Sequence, residues 1–159
     1  MPIAWMLLSN TTIPTILFFL KWIKDASPDV WPGVIMTDHD QAQIAAIQSI
    51  YPQSQVLLCT WHVLHAMQSH FTTNEFPDLW NKIKAWVKTE KLSDFFSLWD
   101  KISTNSSVPW SFVQYLAIEW VPSPHMWSKV AQKNQYIFME GNINMFIEAY
   151  VILHLLLIR

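Results

Sequence analysis

The chain has 159 residues, of which 52% are apolar and only 14% are charged, and it contains ten Trp and nine Phe. This much apolar surface excludes intrinsic disorder and favours one domain with a real core, and it would also suit a piece of a larger protein. The net charge of −2 gives no basic footprint for nucleic-acid binding, and a single Cys excludes an internal disulfide framework and fits a reducing compartment.

The first part of the chain alternates strand and helix signals. Residues 3–8 form an apolar run that predicts a buried strand, and a helix should follow the cap-forming residues 9–12 and end near residues 25–28. Residues 34–37 and 55–59 predict two more strands, and His62, His65, Ala66 and His70 should lie on a helix that follows the second of them. The helix between these two strands should begin at the cap residue Asp40 and end at Tyr51-Pro52.

The strand signals stop after about residue 70. Helices are predicted at residues 76–87, 92–102 and 110–121, separated by polar breaks. We interpret residues 71–133 as an all-helical insertion. Residues 134–159 should contain an apolar C-terminal helix, interrupted by charge and shorter than the roughly 18 apolar residues of a membrane span, so no membrane partner is expected. This helix ends without a capping signal, so we expect the chain to continue in a parent protein.

Asp38 is the first candidate for chemistry because it ends a buried strand. In open α/β sheets, functional sites gather at the carboxyl ends of strands. A carboxylate there could bind a divalent cation such as Mg²⁺, and two such ions can clamp the attacking and leaving oxygens of a phosphodiester. The alternative is an ordinary turn or cap Asp, which the spacing alone favours. The neighbours His39 and Asp40 are weaker candidates.

Glu148 and the Cys59/His62 pair leave similar alternatives open. An unpaired acid is costly to bury within an apolar helix, so Glu148 lies on a polar edge or faces a site. Cys59 and His62 have the spacing of half a zinc site, but a complete site needs four ligands and the chain has no second Cys. The spacing alone favours a buried Cys that closes a strand and a His that caps a helix.

The aromatic and basic residues of the helical region have structural explanations. Five aromatic residues recur at helical spacings, which predicts a core and not a platform for stacking bases: Trp80, Trp86, Phe95, Phe96 and Trp99. Four lysines nearby predict a solvated helix face: Lys82, Lys84, Lys88 and Lys91.

Several short motifs follow one another in a specific order. They are Pro-Ile-Ala-Trp at residues 2–5, Val-Ile-Met-Thr-Asp at 34–38, Leu-Cys-Thr-Trp-His-Val at 58–63 and Ile-Asn-Met-Phe-Ile-Glu-Ala-Tyr at 143–150. This order resembles the Mutator-like element (MULE) transposase domain, and the resemblance extends over nearly the whole chain.

The resemblance implies an α/β, RNase H-like fold, in which a mixed sheet is flanked by helices and an all-helical insertion precedes the last acid. It implies an Asp-Asp-Glu triad that holds Mg²⁺ or Mn²⁺, while water and then a DNA 3′-hydroxyl attack phosphodiesters at the ends of the element. Asp38 matches the second Asp of the triad and Glu148 its Glu, as catalytic and metal-binding residues. Cys59 and His62 match a Cys-x-x-His motif of the family. DNA and self-association are the implied partners, and the nucleus is the implied location.

The chain departs from the family pattern in ways that affect activity. The first Asp of the triad should lie upstream of residues 2–4, so residues 1–70 should be a partial core without its first strands. Ile143-Asn144-Met145 stands where relatives have Thr-Asn-Asn. Without the first carboxylate a metal pair lacks a shared ligand, so we expect a truncated member that is inactive alone. The alternatives are a non-enzymatic DNA-binding remnant and a decayed fragment.

Overall fold

The structure, a computed structural model, describes residues 12–132. The predicted strand at residues 3–8, the predicted C-terminal helix and Glu148 lie outside the described residues. The chain divides into two compact units, of which the first ends at Leu58 and the second begins at Cys59. The predicted segment boundaries at residues 70 and 133 stay predictions.

The described part of the first unit is a strand-helix-strand motif preceded by a helix. Its described elements are α1 (Ile13–Ala26), β1 (Val34–Thr37), α2 (Gln41–Ile50) and β2 (Gln55–Leu58). The two strands pair in parallel, with Val34 opposite Gln55 and Thr37 opposite Leu58. Parallel strands need a crossover connection, which is usually a helix, and α2 supplies it. The predicted strands and their connecting helix are therefore confirmed.

Local signals set the ends of these helices. α1 begins after Thr12, with Pro14 in its first turn, where the missing N–H of proline costs nothing. It ends at Ala26, and the backbone N–H of the following cap residue Ser27 donates to Ile23 O at 3.1 Å. α1 packs against α2. Most of the buried apolar side chains come from α1, α2 and β2: Ile16, Ile44, Ala46, Ile47, Val56, Leu57 and Leu58. Tyr51 and Thr37 are buried as well.

Lys24 ties the end of α1 to the end of α2. Its Nζ donates a hydrogen bond to Ile50 O at 3.1 Å and lies 4.4 Å from the centre of the Trp31 ring. Trp31 in turn meets Tyr51 edge to face, with ring centres 6.1 Å apart. The ammonium group is thus held by a carbonyl oxygen and by the negative face of an aromatic ring.

The second unit is helical throughout its described part. Its elements are α3 (Thr60–Gln68), α4 (Pro77–Lys88), α5 (Leu92–Ser103), α6 (Trp110–Tyr115), α7 (Pro124–Trp127) and α8 (Lys129–Gln132), with a π-helical turn (Leu116–Trp120) that continues α6. The helices predicted at residues 76–87 and 92–102 are confirmed. The sequence pattern places His70 on α3, but α3 ends at Gln68. The His70 ring instead stacks on the Tyr115 ring, with ring centroids 3.7 Å apart.

Tryptophan forms much of the core of this unit. Trp86, Trp120 and Trp127 are fully buried, and the Trp86 and Trp127 rings meet edge to face at 4.8 Å. The Trp127 Nε1–H donates to Trp120 O at 2.9 Å. The predicted core role is confirmed for Trp86 and Phe95 and is wrong for Phe96, which is 58% exposed.

The described residues therefore form a helix-rich α/β arrangement with a small parallel sheet. No helix within residues 12–132 combines the length and the hydropathy needed to cross a membrane.

Candidate functional site

Asp38 follows directly after Thr37, the last residue of β1. Its carboxylate is half-buried, and Oδ1 accepts a hydrogen bond from the Thr37 hydroxyl at 3.3 Å. The predicted position at the carboxyl end of a strand is confirmed. Since both β1 and β2 point the same way, this is the edge of a parallel pair at which α/β proteins commonly bind ligands.

Asp40 is the helix cap that the sequence predicted. Its Oδ1 accepts from the backbone N–H groups of Ala42 at 2.7 Å and Gln43 at 3.1 Å, and its carbonyl oxygen accepts from Ile44 N at 3.0 Å. These bonds satisfy N–H groups that have no partner within the helix, and the negative charge lies at the positive end of the helix dipole. These hydrogen bonds show that Asp40 is the N-terminal cap that stabilises the start of α2.

Thr37 and Gln43 belong to the surroundings of Asp38. Thr37 is 5% exposed, and its hydroxyl makes a short hydrogen bond with Oε1 of Gln43, in the first turn of α2. The same hydroxyl is the one that contacts Asp38. The end of β1, the loop after it and the start of α2 are therefore joined by side-chain bonds as well as by the backbone.

Sequence reasoning missed these two residues, although one signal was available. A cap at Asp40 puts Gln43 at the third helical position, where Gln and Glu often reach back towards the residues before a helix. Here the amide reaches past the cap to Thr37.

The Cys59/His62 pair lies at the start of the second unit. Cys59 is 2% exposed and occupies the cap position of α3, where its carbonyl oxygen accepts from Val63 N at 3.0 Å and its side chain makes no capping hydrogen bond. His62 is half-buried in the first turn of α3, with its ring edge-on to Trp61 at 4.8 Å. Trp61 also stacks on His65 at 4.9 Å.

Across residues 12–132, no three His, Cys, Asp or Glu side chains come together as a metal-binding group. A complete zinc site around Cys59 and His62 is therefore not formed by the described residues alone. The role of this pair stays a prediction.

The comparisons with known proteins bear on the first unit above all. Residues 1–66 match the family model of the MULE transposase domain. The resemblance drawn from the sequence motifs is confirmed over this range. The match spans 66 of the 159 residues and includes α1, β1, α2, β2 and most of α3. No curated protein and no solved structure matches the chain.

The MULE match contains Asp38, Cys59 and His62, whereas Glu148 lies beyond it. Transposases of this kind typically use divalent metal ions, and the chemistry of Asp38 fits such an ion. Its carboxylate is a hard oxygen ligand, it stands on a rigid strand end, and it is only half-buried. One bond from Thr37 leaves further lone pairs of the carboxylate able to accept. Asp38 could therefore supply one ligand, and a complete site would need others.

Proposed function

We propose that this chain derives from the catalytic domain of a DNA transposase with an RNase H-like fold, whose activity is metal-dependent DNA cleavage and strand transfer. The observation that carries the proposal is the position of Asp38, at the carboxyl end of a parallel strand and within the MULE-matched segment. The strand-helix-strand motif of residues 34–58 is compatible with one part of such a fold.

In this proposal Asp38 is a ligand of Mg²⁺ or Mn²⁺. Such ions, when bound, polarise a phosphodiester and favour attack on it by water or by a 3′-hydroxyl. The contribution of Asp38 is a fixed negative charge, held at the end of β1 and oriented by Thr37. Glu148 is proposed as the second carboxylate on the strength of the sequence resemblance.

DNA at the ends of a transposable element is the proposed substrate, with self-association of the protein and a nuclear location as further parts of the proposal. The net charge of −2 offers no general attraction to DNA. Recognition of DNA would then depend on local contacts and on the bound cations, and we expect binding to weaken steeply as the salt concentration rises.

Binding of Mn²⁺ to the full chain, followed by NMR, tests the ligand assignment. Paramagnetic Mn²⁺ should broaden the amide signals of residues 37–43 first, and Asp38→Asn should remove this local broadening. The matched control is Asp29→Asn, because Asp29 is exposed and lies in a turn of the same unit. Equal broadening in Asp38→Asn and in the unmodified chain would refute the assignment.

The test of catalysis uses Glu148→Gln beside Asp38→Asn in a nicking assay with plasmid DNA and Mn²⁺. Both substitutions should abolish any nicking that the unmodified chain shows. DNA binding that needs no divalent ion and is unchanged in both variants would instead support a non-enzymatic DNA-binding role.

A further inference from the structure

The hydroxyl of Thr37 stands between two oxygen atoms. Oδ1 of Asp38 lies 3.3 Å from Thr37 Oγ1, and Oε1 of Gln43 lies on the same hydroxyl at a short hydrogen-bond distance. A threonine hydroxyl has one proton, so it can donate to only one of these oxygens. Thr37 is 5% exposed, so water has little access to this hydroxyl, and its proton goes to one of these two oxygens.

One arrangement allows the Thr37 hydroxyl to form a hydrogen bond with both neighbours. The amide of Gln43 carries an NH₂ group as well as an oxygen, and a half-turn about its last bond exchanges the two. With the NH₂ group towards Thr37, Gln43 Nε2–H donates to Thr37 Oγ1 and the hydroxyl proton is donated to Asp38 Oδ1. The Thr37 hydroxyl then accepts from Gln43 and donates to Asp38 at the same time. In the opposite arrangement the hydroxyl donates to Gln43 and gives no hydrogen bond to Asp38.

We infer that Gln43 is a positioning residue that acts through Thr37 to orient the Asp38 carboxylate for a divalent cation. This inference rests on the proposed function for the cation, and on the described contacts for the orientation. Hydrogen bonds to the outer side of a ligand commonly fix its direction towards a metal ion.

Gln43 is itself held in place by its own backbone. Its N–H donates to Oδ1 of Asp40 at 3.1 Å, which fixes the first turn of α2. The side chain is half-buried, so its freedom is restricted. Hydrogen bonds therefore connect the cap residue Asp40 through Gln43 and Thr37 to Asp38, the candidate metal ligand. All four lie within seven consecutive residues of one unit.

The test combines two measurements on the full chain. NMR couplings between the Asp38 carboxyl carbon and its backbone atoms report whether the side chain keeps one χ1 rotamer. Titration with Mn²⁺ reports the affinity. The variants are Thr37→Val, which keeps the shape and removes the hydroxyl, and Gln43→Met, which keeps the length and removes the amide. Gln48→Met makes the same change at an exposed position of α2 and is the matched control.

We expect one dominant Asp38 rotamer in the unmodified chain and in Gln48→Met, and averaging over rotamers in Thr37→Val and Gln43→Met. Thr37→Val should weaken Mn²⁺ binding by about ten-fold, the lower end of the usual effect of such outer contacts, and Gln43→Met should cause a smaller loss. Thr37→Ser retains the hydroxyl and should restore most of the affinity. The pattern of amide signals shows that each variant is folded.

The sign of the Gln43→Met effect decides between the two hydrogen-bond directions. If Thr37 donates to Gln43, removing the amide releases the proton for Asp38, and the rotamer becomes better defined with equal or tighter binding. That result would overturn the inference. If the unmodified chain shows no Mn²⁺ binding that depends on Asp38, the proposed ligand role fails, while the rotamer measurement still decides whether Gln43 orients Asp38.

Discussion

Asp38 and Asp40 are two residues apart, yet only the Asp40 carboxylate accepts hydrogen bonds from the backbone N–H groups of α2, and this contrast yields a quantitative prediction. Asp40→Ala removes the acceptor of two backbone N–H groups, at 2.7 and 3.1 Å. Loss of a cap costs about 0.5–2 kcal/mol. Because the Asp40 carboxylate is half-buried, makes both bonds and faces the positive end of the helix dipole, we expect about 1–2 kcal/mol.

Native-state hydrogen exchange is the suitable assay, since two compact units need not unfold together. A loss of 1–2 kcal/mol corresponds to about 5–30-fold faster exchange of the buried α2 amides, such as those of Ile44 and Ile47. Asp40→Asn keeps a capping oxygen and should change exchange little.

Asp38→Asn should leave the same amides unchanged, because the bond from Thr37 is the one hydrogen bond to its side chain among the described residues. Unchanged exchange in Asp40→Ala would refute the capping argument. Equal acceleration in the Asp38 and Asp40 variants would show that the two carboxylates stabilise α2 together, against the division of roles described above.

Three further substitutions test the packing of each unit. Trp127→Phe removes the 2.9 Å bond to the Trp120 carbonyl and part of a buried ring, and should lower the free energy of unfolding of the second unit by about 2 kcal/mol, measured as faster native-state exchange of the buried amides of that unit. Lys24→Met removes a hydrogen bond and a cation–π contact and should accelerate amide exchange at the end of α2, by an amount equivalent to about 1–2 kcal/mol. Lys21→Met makes the same change at an exposed position and should leave this exchange unchanged. Burial raises the pKa of the Tyr115 hydroxyl above its ordinary value near 10. The contribution of Tyr115 to stability is therefore complete below pH 10 and is lost as the pH rises from there through the raised pKa. Tyr115→Phe should remove this part of the alkaline loss of stability, which urea midpoints and phenolate absorbance can follow.

Short-range signals predicted the strand-helix-strand motif well. The apolar run before Asp38, the cap at Asp40 and the stop at Tyr51-Pro52 are each contained within a few residues, and the physics that they reflect is local. The position of Asp38 could be predicted because a strand end is such a local feature.

Features that depend on side-chain packing could not be predicted in this way. The bond between Thr37 and Gln43 requires knowledge of two rotamers and of the angle between β1 and α2. Helical spacing put both Phe95 and Phe96 in the core, but adjacent residues on a helix point about 100° apart, and only Phe95 faces the buried tryptophans.

Contacts between residues far apart in the sequence could not be predicted from local residue spacing either. The sequence pattern places His70 on the helix that precedes it, but this helix ends at Gln68. The hydroxyl of the next residue, Ser69, donates to Ala66 O at 2.8 Å and competes with the backbone hydrogen bonds of the helix. The contact of His70 with Tyr115 joins residues 45 positions apart, a pairing to which no local spacing rule applies.

The three-residue link between β1 and α2 also bears on the entropy of ligand binding. Asp38 directly follows strand β1 and lies two residues before Asp40, the cap of α2. Few backbone conformations are therefore accessible to Asp38. A side chain that is already ordered loses little freedom when it acquires a ligand, and the cost of that order is met during folding. Any cation held by Asp38 would thus bind a carboxylate whose backbone is already ordered before binding.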